Sequence, residues 1–143
     1  MSGYRNVLLA VELSDDSEVV GKRAKALAEI HGARLTLLHV VEYVPVEPMG
    51  EALLPTIQIE TELVDRARQR LKDLADTLGL GHCPQLVETG GIKAEIIRTA
   101  ERLGSDLIVL GSRERHGLAI LLNFTEDAVL HSAPCDVLAV RLR

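Results

Sequence analysis

The chain alternates short apolar runs with segments in which apolar residues recur every three or four positions. Runs of four to eight apolar residues are typical of strands buried on both faces, and the longer spacing is typical of helices that pack on one side. The predicted strands are residues 5–11 (RNVLLAV), 34–41 (RLTLLHVV), Gln85–Glu88, 107–110 (LIVL) and 135–140 (CDVLAV). Gly32, Gly79 and Gly104 follow three of the periodic segments and predict helix ends.

Helix starts are marked as well. Ser14 or Asp15 is expected to cap the first helix, with Glu18 three positions after Asp15 as in a capping box. A last helix is predicted over residues 118–132. The helix that follows TGG at 89–91 is predicted to turn four residues inward: Ile96, Ile97, Ala100 and Leu103.

This alternation of strands and helices predicts one α/β domain over residues 1–143. Because a helix separates successive strands, the strands are expected to pair in parallel through right-handed crossovers. We therefore expect an open, doubly wound, Rossmann-like sheet of five parallel strands with helices on both faces.

Composition narrows the class of protein. Hydrophobic residues make up 47% of the chain but aromatics only 2%, so the core must consist of Leu, Val, Ile and Ala. The net charge is −5 and no basic cluster is interleaved with aromatics, which argues against nucleic acid as a partner.

No apolar run is long enough to cross a bilayer, so we expect no membrane association and a cytoplasmic location. Cys83, Cys135 and the five histidines lack metal-site spacing, and no metal is expected.

The segment 42–55 (EYVPVEPMGEALLP) contains three prolines and a glycine, which disfavour regular structure over most of its length. Two interpretations stay open. A long loop in a compact domain is usually functional or mobile, but this segment also fits a plain connector to a displaced helix.

Ligands of open parallel sheets bind beyond the carboxyl ends of the strands, where the strand order reverses. Here those ends are Val11–Ser14, His39–Val41 and Leu110–Arg113, which form the candidate pocket. The motifs GxxxxGK[ST], GxGxxG and GxSxG are all absent, which removes the commonest nucleotide and hydrolase fingerprints. His39, alone at a strand end, is interpreted as a structural residue.

Four segments together resemble the universal stress proteins of the UspA type, and the resemblance extends over essentially the whole chain. They are NVLLAVELS, ARLTLLHVVE, SDLIVLGSR and APCDVLAV. The resemblance implies a sheet of order 3-2-1-4-5, a homodimer joined along strand five, and a role under stress. It also implies that ATP or AMP is a candidate ligand, because some members bind these nucleotides through G-x-x-G-x9-G-[S/T].

Only part of that glycine motif is present. Gly111 matches its first glycine, whereas Glu114 stands at the second. The final Gly-[S/T] falls on Phe124 and Thr125 when counted forward, or on Asn123 and Phe124 when counted back from the last strand. Glycines let backbone amides approach a phosphate closely, so bulky or acidic replacements are expected to weaken binding.

Other residues of the predicted pocket are compatible with binding of an adenine nucleotide. Arg113 could offset the charge of Glu114, and Thr125 could still donate a hydroxyl. The resemblance implies that Glu12 replaces the aspartate usual after strand one and that the backbone of Val41 pairs with adenine. The alternative is that all these residues serve only turns and helix caps.

The preferred hypothesis is a non-catalytic stress-response homodimer that acts through protein contacts and binds adenine nucleotide weakly or not at all. The alternative is an ATP- or AMP-responsive switch in which the nucleotide fixes the segment 42–55. An enzyme has the least support, since no base is evident beside a nucleophile.

Independently of the resemblance, the last strand (Asp136–Arg141) is apolar and free of proline at a sheet edge, a liability that pairing with a second copy would cover. The alternative is that Arg141 and Arg143 alone protect that edge.

Overall fold

A computed structural model describes residues 3–42, 53–113, 129 and 131–142, with the backbone alone at 53–58 and 113. Within these residues the chain forms five strands and three helices with defined bounds, and Val129, His131 and Ser132 are helical as well. In chain order, the elements with defined bounds are β1 (Asn6–Ala10), α1 (Ser17–His31), β2 (Arg34–Val41), α2 (Leu53–Leu78), β3 (Gln85–Thr89), α3 (Ile92–Leu103), β4 (Leu107–Arg113) and β5 (Asp136–Leu142).

The five strands form one parallel sheet in the order β3-β2-β1-β4-β5, which confirms the expected doubly wound topology. β1 lies at the centre, with Leu8 beside Thr36 of β2 on one side and beside Ile108 of β4 on the other. The order of the strands therefore reverses between β1 and β4. A ligand cleft is expected at the carboxyl ends of these two strands.

The core lies on both faces of the sheet because successive residues of a strand point in opposite directions. Leu9 and Leu37 pack with α1 and α2 on one face, where Leu71 is fully buried. Leu8 and Leu38 pack on the other face with α3. Uninterrupted apolar runs such as NVLLA thus supply both cores, as the sequence predicted.

The helices end where glycines predicted, but α1 does not begin as expected. Gly32 and Gly104 adopt left-handed φ values of 63° and 65°, which allow their N–H groups to bond the last carbonyls of α1 and α3. Asp16, rather than Ser14 or Asp15, is the residue before α1, and it makes no side-chain cap bond. The predicted capping box is therefore wrong.

The long helix α2 begins earlier than the prolines suggested. The sequence disfavours regular structure over most of the segment 42–55, yet α2 starts at Leu53 and places Pro55 at its third position. The first N–H groups of a helix have no intrahelical partner, so a proline in the first turn loses no hydrogen bond. Residues 43–52 of the predicted loop lie outside the described residues.

The last two strands also run further than predicted. β4 continues through Gly111 to Arg113, and β5 continues to Leu142, because Gly111 pairs with Val140 and Arg113 with Leu142. Most of the predicted helix 118–132 lies outside the described residues, although Val129, His131 and Ser132 are helical.

One predicted core position of α3 is wrong. Leu103 is 36% exposed, whereas Ile96 and Ala100 are buried as predicted. No described helix is both long and apolar enough to span a membrane.

Candidate functional site

The strand order reverses between β1 and β4, and a small cleft lies at the carboxyl ends of these two strands. We call it the switch-point cleft. It lies between the first turns of α1 and α3 and is lined by Ala10, Val11, Glu12, Ser14, Asp16, Ser17, Val20, Ile92, Ile96, Leu110, Gly111 and Leu142. The structure thus brings together Glu12 and Gly111, two of the predicted site residues.

The volume of this cleft is small, at about 40 Å³. A single water needs roughly 10–15 Å³ on this measure, so the cleft has room for about three or four waters. Ligand pockets usually measure roughly 300–1,000 Å³. An adenine nucleotide could not be enclosed by these twelve residues alone.

Gly111 does not lie in a phosphate-binding turn. It is a residue of β4, paired with Val140, and is absent from the described glycines that have positive φ. A Cβ added to it would lie 2.8 Å from Cδ1 of Leu142 and 3.1 Å from Cγ2 of Val20. The tight packing of α1 and β5 against the strand therefore explains the glycine at this position, and the predicted end of the strand at residue 110 is wrong.

Glu12 is exposed at the entrance of the cleft, directly after β1. The next residue, Leu13, has a left-handed φ of 62° and a buried side chain. Left-handed backbone costs a non-glycine residue about 1–2 kcal/mol. The guanidinium of Arg70, in α2, donates a hydrogen bond to the carbonyl of Leu13 and so helps to hold this conformation.

His39, in β2, holds the same loop from another side. Its Nδ1 lies 2.7 Å from the carbonyl oxygen of Val11, so the ring carries its proton on Nδ1 and donates it there. Burial lowers the pKa of His39, the Val11 hydrogen bond raises it, and the nearby charges of Arg70 and Glu12 act in opposite directions. The neutral ring is favoured, which supports the structural interpretation of His39.

The remaining predicted site residues are more distant or lie outside the description. The carbonyl of Val41 accepts a hydrogen bond from the N–H of Gly90 at 3.1 Å, so one lone pair of this carbonyl is already used by the residue that follows β3. Arg113 ends β4, and its side chain is outside the described part of the chain. Asn123, Phe124 and Thr125 all lie outside the described residues.

The family of the chain follows from its comparison with known proteins. The model of the universal stress protein family matches residues 3–141. Universal stress protein A homolog 2 of Coxiella burnetii is 35% identical over 144 residues, which cover 100% of this chain and 99% of that protein. The chain belongs to the universal stress protein family.

Solved structures of the family share the fold. The universal stress protein UspA from Lactobacillus plantarum superposes with a TM-score of 0.72 at 28% identity, over 99% of this chain and 100% of that one. A universal stress protein in complex with cAMP superposes with a TM-score of 0.65 at 19% identity, over 97% of this chain and 98% of that one. At 19% identity the second comparison shows the fold alone.

The described residues of this universal stress protein give little support for a metal site or a reactive cysteine. The described residues contain no cluster of three or more His, Cys, Asp or Glu side chains that could hold a metal ion. Cys83 and Cys135 are free and half-buried. Burial raises the pKa of both thiols, and the nearby carboxylates of Asp136 and Asp106 raise that of Cys135 further. The reactive thiolate is therefore disfavoured at both positions.

The sequence analysis missed Leu13 and Arg70. Leucine rarely adopts positive φ, so nothing in the letters ELSDD indicates the backbone of Leu13. Arg70 lies beside the apolar stripe of α2, where Ala67 and Leu71 are buried. Its position in sequence fits an ordinary exposed arginine, and only the packing of α2 against α1 and β2 brings it to Leu13.

Proposed function

We propose that this universal stress protein is a non-catalytic homodimer that acts in the stress response through contacts with other proteins, and that it binds adenine nucleotides weakly or not at all. The observation that carries the nucleotide part is the environment of Gly111. The one glycine kept from the family motif packs beneath Leu142 and Val20 and lines a cleft of about 40 Å³. The acidic Glu114 and the bulky Phe124 occupy other motif positions in the sequence.

Calorimetric titration with ATP and AMP tests this proposal. We expect no binding tighter than the micromolar range, and no adenine nucleotide in mass spectra of the freshly purified protein. The steric argument also predicts a gain of function. Restoring glycine in Glu114→Gly/Phe124→Gly is expected to tighten ATP binding at least tenfold, about 1.4 kcal/mol. Adding Thr125→Ala to this double variant should weaken its ATP binding several-fold.

A second variant allows for the other alignment of the motif. Glu114→Gly/Asn123→Gly/Phe124→Ser restores the glycine and hydroxyl at positions 123 and 124 instead. Sub-micromolar binding of ATP by the unmodified protein would overturn the proposal of weak binding. Unchanged affinity in both restored variants would overturn its steric explanation.

The alternative function is a nucleotide-responsive switch. It is favoured by the family structure described as a complex with cAMP and by the place of the cleft at the point where strand order reverses. It predicts that Thr125→Ala lowers the nucleotide affinity of the unmodified protein several-fold. Gly111→Val is a poor probe of affinity, because the added side chain would also clash with Leu142.

The proposed homodimer rests on β5. This strand lies at one edge of the sheet and pairs with β4 on one side. Val137 and Leu138 are half-buried and Ala139 is exposed, and no proline interrupts Asp136–Leu142. An apolar edge strand of this kind favours pairing with another strand.

Sedimentation at micromolar concentration tests the dimer. We expect a dimer for the unmodified protein and at least a tenfold weaker dimer for Ala139→Lys, since a lysine on an edge strand opposes pairing. Ala94→Lys, at an exposed alanine of α3, is the matched control and should leave the dimer intact. A monomer at this concentration would contradict the proposal.

A further inference from the structure

A large groove lies at the opposite end of the sheet from the switch-point cleft. We call it the amino-end groove, because it surrounds the amino ends of β1, β2 and β3 where α1, α2 and α3 stop. Its volume is about 1010 Å³, at the upper end of the roughly 300–1,000 Å³ usual for ligand pockets. It is therefore large enough for a small organic molecule.

The topology explains why this region is open. On the α3 face of the sheet, α3 crosses from β3 to β4 and packs on β1 and β2. Leu86, which points to this face from β3, remains half-buried. Leu103, the last residue of α3, is 36% exposed at the edge of the same groove. With Thr36 of β2 between them, these side chains offer apolar surface that the described helices and strands leave partly uncovered.

Two arginines, Arg34 and Arg102, line this part of the groove, although the chain carries a net charge of −5 and the acidic Glu29 lines the groove from α1. Arg34 extends from the first residue of β2 on the same face as Thr36, and Arg102 lies in the last turn of α3. Arg34 is exposed and has no ion-pair partner within the described ranges. Arg102 has one weak partner, with its Nη2 3.8 Å from Oε1 of Glu88, and its side chain is 49% exposed. An exposed pair at this distance contributes little stability, so a ligand could displace it.

Three helices end here, and the partial negative charge of their last carbonyls works against an anion. The structure compensates two of these ends internally. Nζ of Lys25 donates to the carbonyl of Leu78 at 2.7 Å, and Nδ2 of Asn6 donates to that of Gly104 at 3.3 Å. Arg34 and Arg102 are not used in this way and remain available for an external anion.

We propose that the α3 side of the amino-end groove binds an amphipathic carboxylate with a short aliphatic tail. Its carboxylate lies between Arg34 and Arg102, and its hydrocarbon covers Leu86, Thr36 and Leu103. Guanidinium groups match carboxylates in charge and in hydrogen-bonding geometry. The site is separate from the switch-point cleft and does not depend on nucleotide binding.

Decanoate, used below its micelle concentration, is the probe. We expect saturable binding by calorimetry, with shifts of the amide resonances of Thr36, Leu86 and Leu103 in ¹H–¹⁵N spectra. Arg34→Gln should weaken binding about tenfold, the scale of one charge-assisted hydrogen bond. Arg34→Lys keeps the charge but loses the planar pair of donors, so its affinity should fall between those of the unmodified protein and Arg34→Gln. Arg23→Gln, which removes an exposed arginine of α1 away from the groove, is the matched control and should bind normally.

Two further ligands separate the chemistry of the head group from that of the tail. Decyltrimethylammonium has a similar tail and the opposite charge, and we expect it to bind at least tenfold more weakly than decanoate. Equal binding of the two, unchanged affinity in Arg34→Gln, or shifts confined to the switch-point cleft would overturn the proposal. Tighter binding of an acidic peptide without an aliphatic tail would overturn it as well, because the groove would then select a protein segment.

Discussion

At the carboxyl end of the sheet, side chains from α1, α2, β2 and β5 contact the loop after β1 and the strand β4. At the amino end, the helices stop and leave a groove. His39 and Arg70 bond the carbonyls of Val11 and Leu13, and Leu142 and Val20 pack over Gly111. At the amino end, Arg34 and Leu103 remain exposed. The general rule for open parallel sheets places ligands at the first end. In the part of this chain that the structure describes, the larger of the two volumes lies at the second end, at about 1010 Å³ against about 40 Å³.

The largest expected effect tests how tightly the switch-point cleft is closed. Gly111→Val should lower the free energy of unfolding by roughly 1–3 kcal/mol, because its Cβ would lie 2.8 Å from Leu142 Cδ1. Urea unfolding measures the loss. The double variant Gly111→Val/Leu142→Ala should be less destabilised than the sum of the single variants, since the clash is shared. Strict additivity would show that Leu142 does not limit the space at Gly111.

The next effect concerns the strained loop after β1. Arg70→Met removes the charged donor to the carbonyl of Leu13 and should destabilise the fold by about 1.5 kcal/mol. Hydrogen exchange should accelerate in residues 11–17 more than elsewhere, because the loop loses its partner from α2. Arg66→Met, at an exposed arginine of the same helix, is the control. Uniform acceleration in both variants would mean that Arg70 stabilises α2 alone.

A smaller, pH-dependent effect is expected from His39. Burial is the largest influence on its pKa in the folded protein and lowers it. Above about pH 6.5, the ordinary histidine pKa, the ring is neutral in both states and its contribution to stability is fully present. As the pH falls below that value, the unfolded chain takes up a proton that the folded chain resists, so stability is lost.

His39→Gln should flatten this dependence. Its amide can still donate to the carbonyl of Val11, but it does not titrate. Urea midpoints of both proteins between about pH 5 and 8 test this, and the advantage of the unmodified protein should shrink towards the acid end. Parallel curves would indicate that His39 is protonated to the same extent in both states.

The smallest effect belongs to the amino end. Arg34 is exposed and makes no ion pair within the described ranges, so Arg34→Gln should change the free energy of unfolding by less than about 0.5 kcal/mol. The same urea measurement applies. If Arg34→Gln lowered the free energy of unfolding as much as Arg70→Met, Arg34 would stabilise the fold. The two ends of the sheet would then not differ in the way proposed.

Particular residues show how far the sequence analysis reached. The apolar run 34–41 predicted β2 to the residue, because strands buried on both faces need uninterrupted apolar residues. Gly32 predicted the end of α1, because few other residues adopt left-handed φ without strain. The predicted strand 107–110 ended too early, because a glycine that ends a strand and a glycine that gives space to a neighbour look the same in sequence.

The sequence by itself determined the parallel α/β fold and the helix ends, and its motifs indicated the family. These depend on periodicity and on local backbone preferences, which neighbouring residues carry. Only the tertiary structure decided that Leu13 is held by Arg70, that Leu142 fills the space at Gly111, and that Arg34, Leu86 and Arg102 line one groove. Each of these contacts joins residues far apart in the chain, and their meeting depends on which face and which end of the sheet each element reaches.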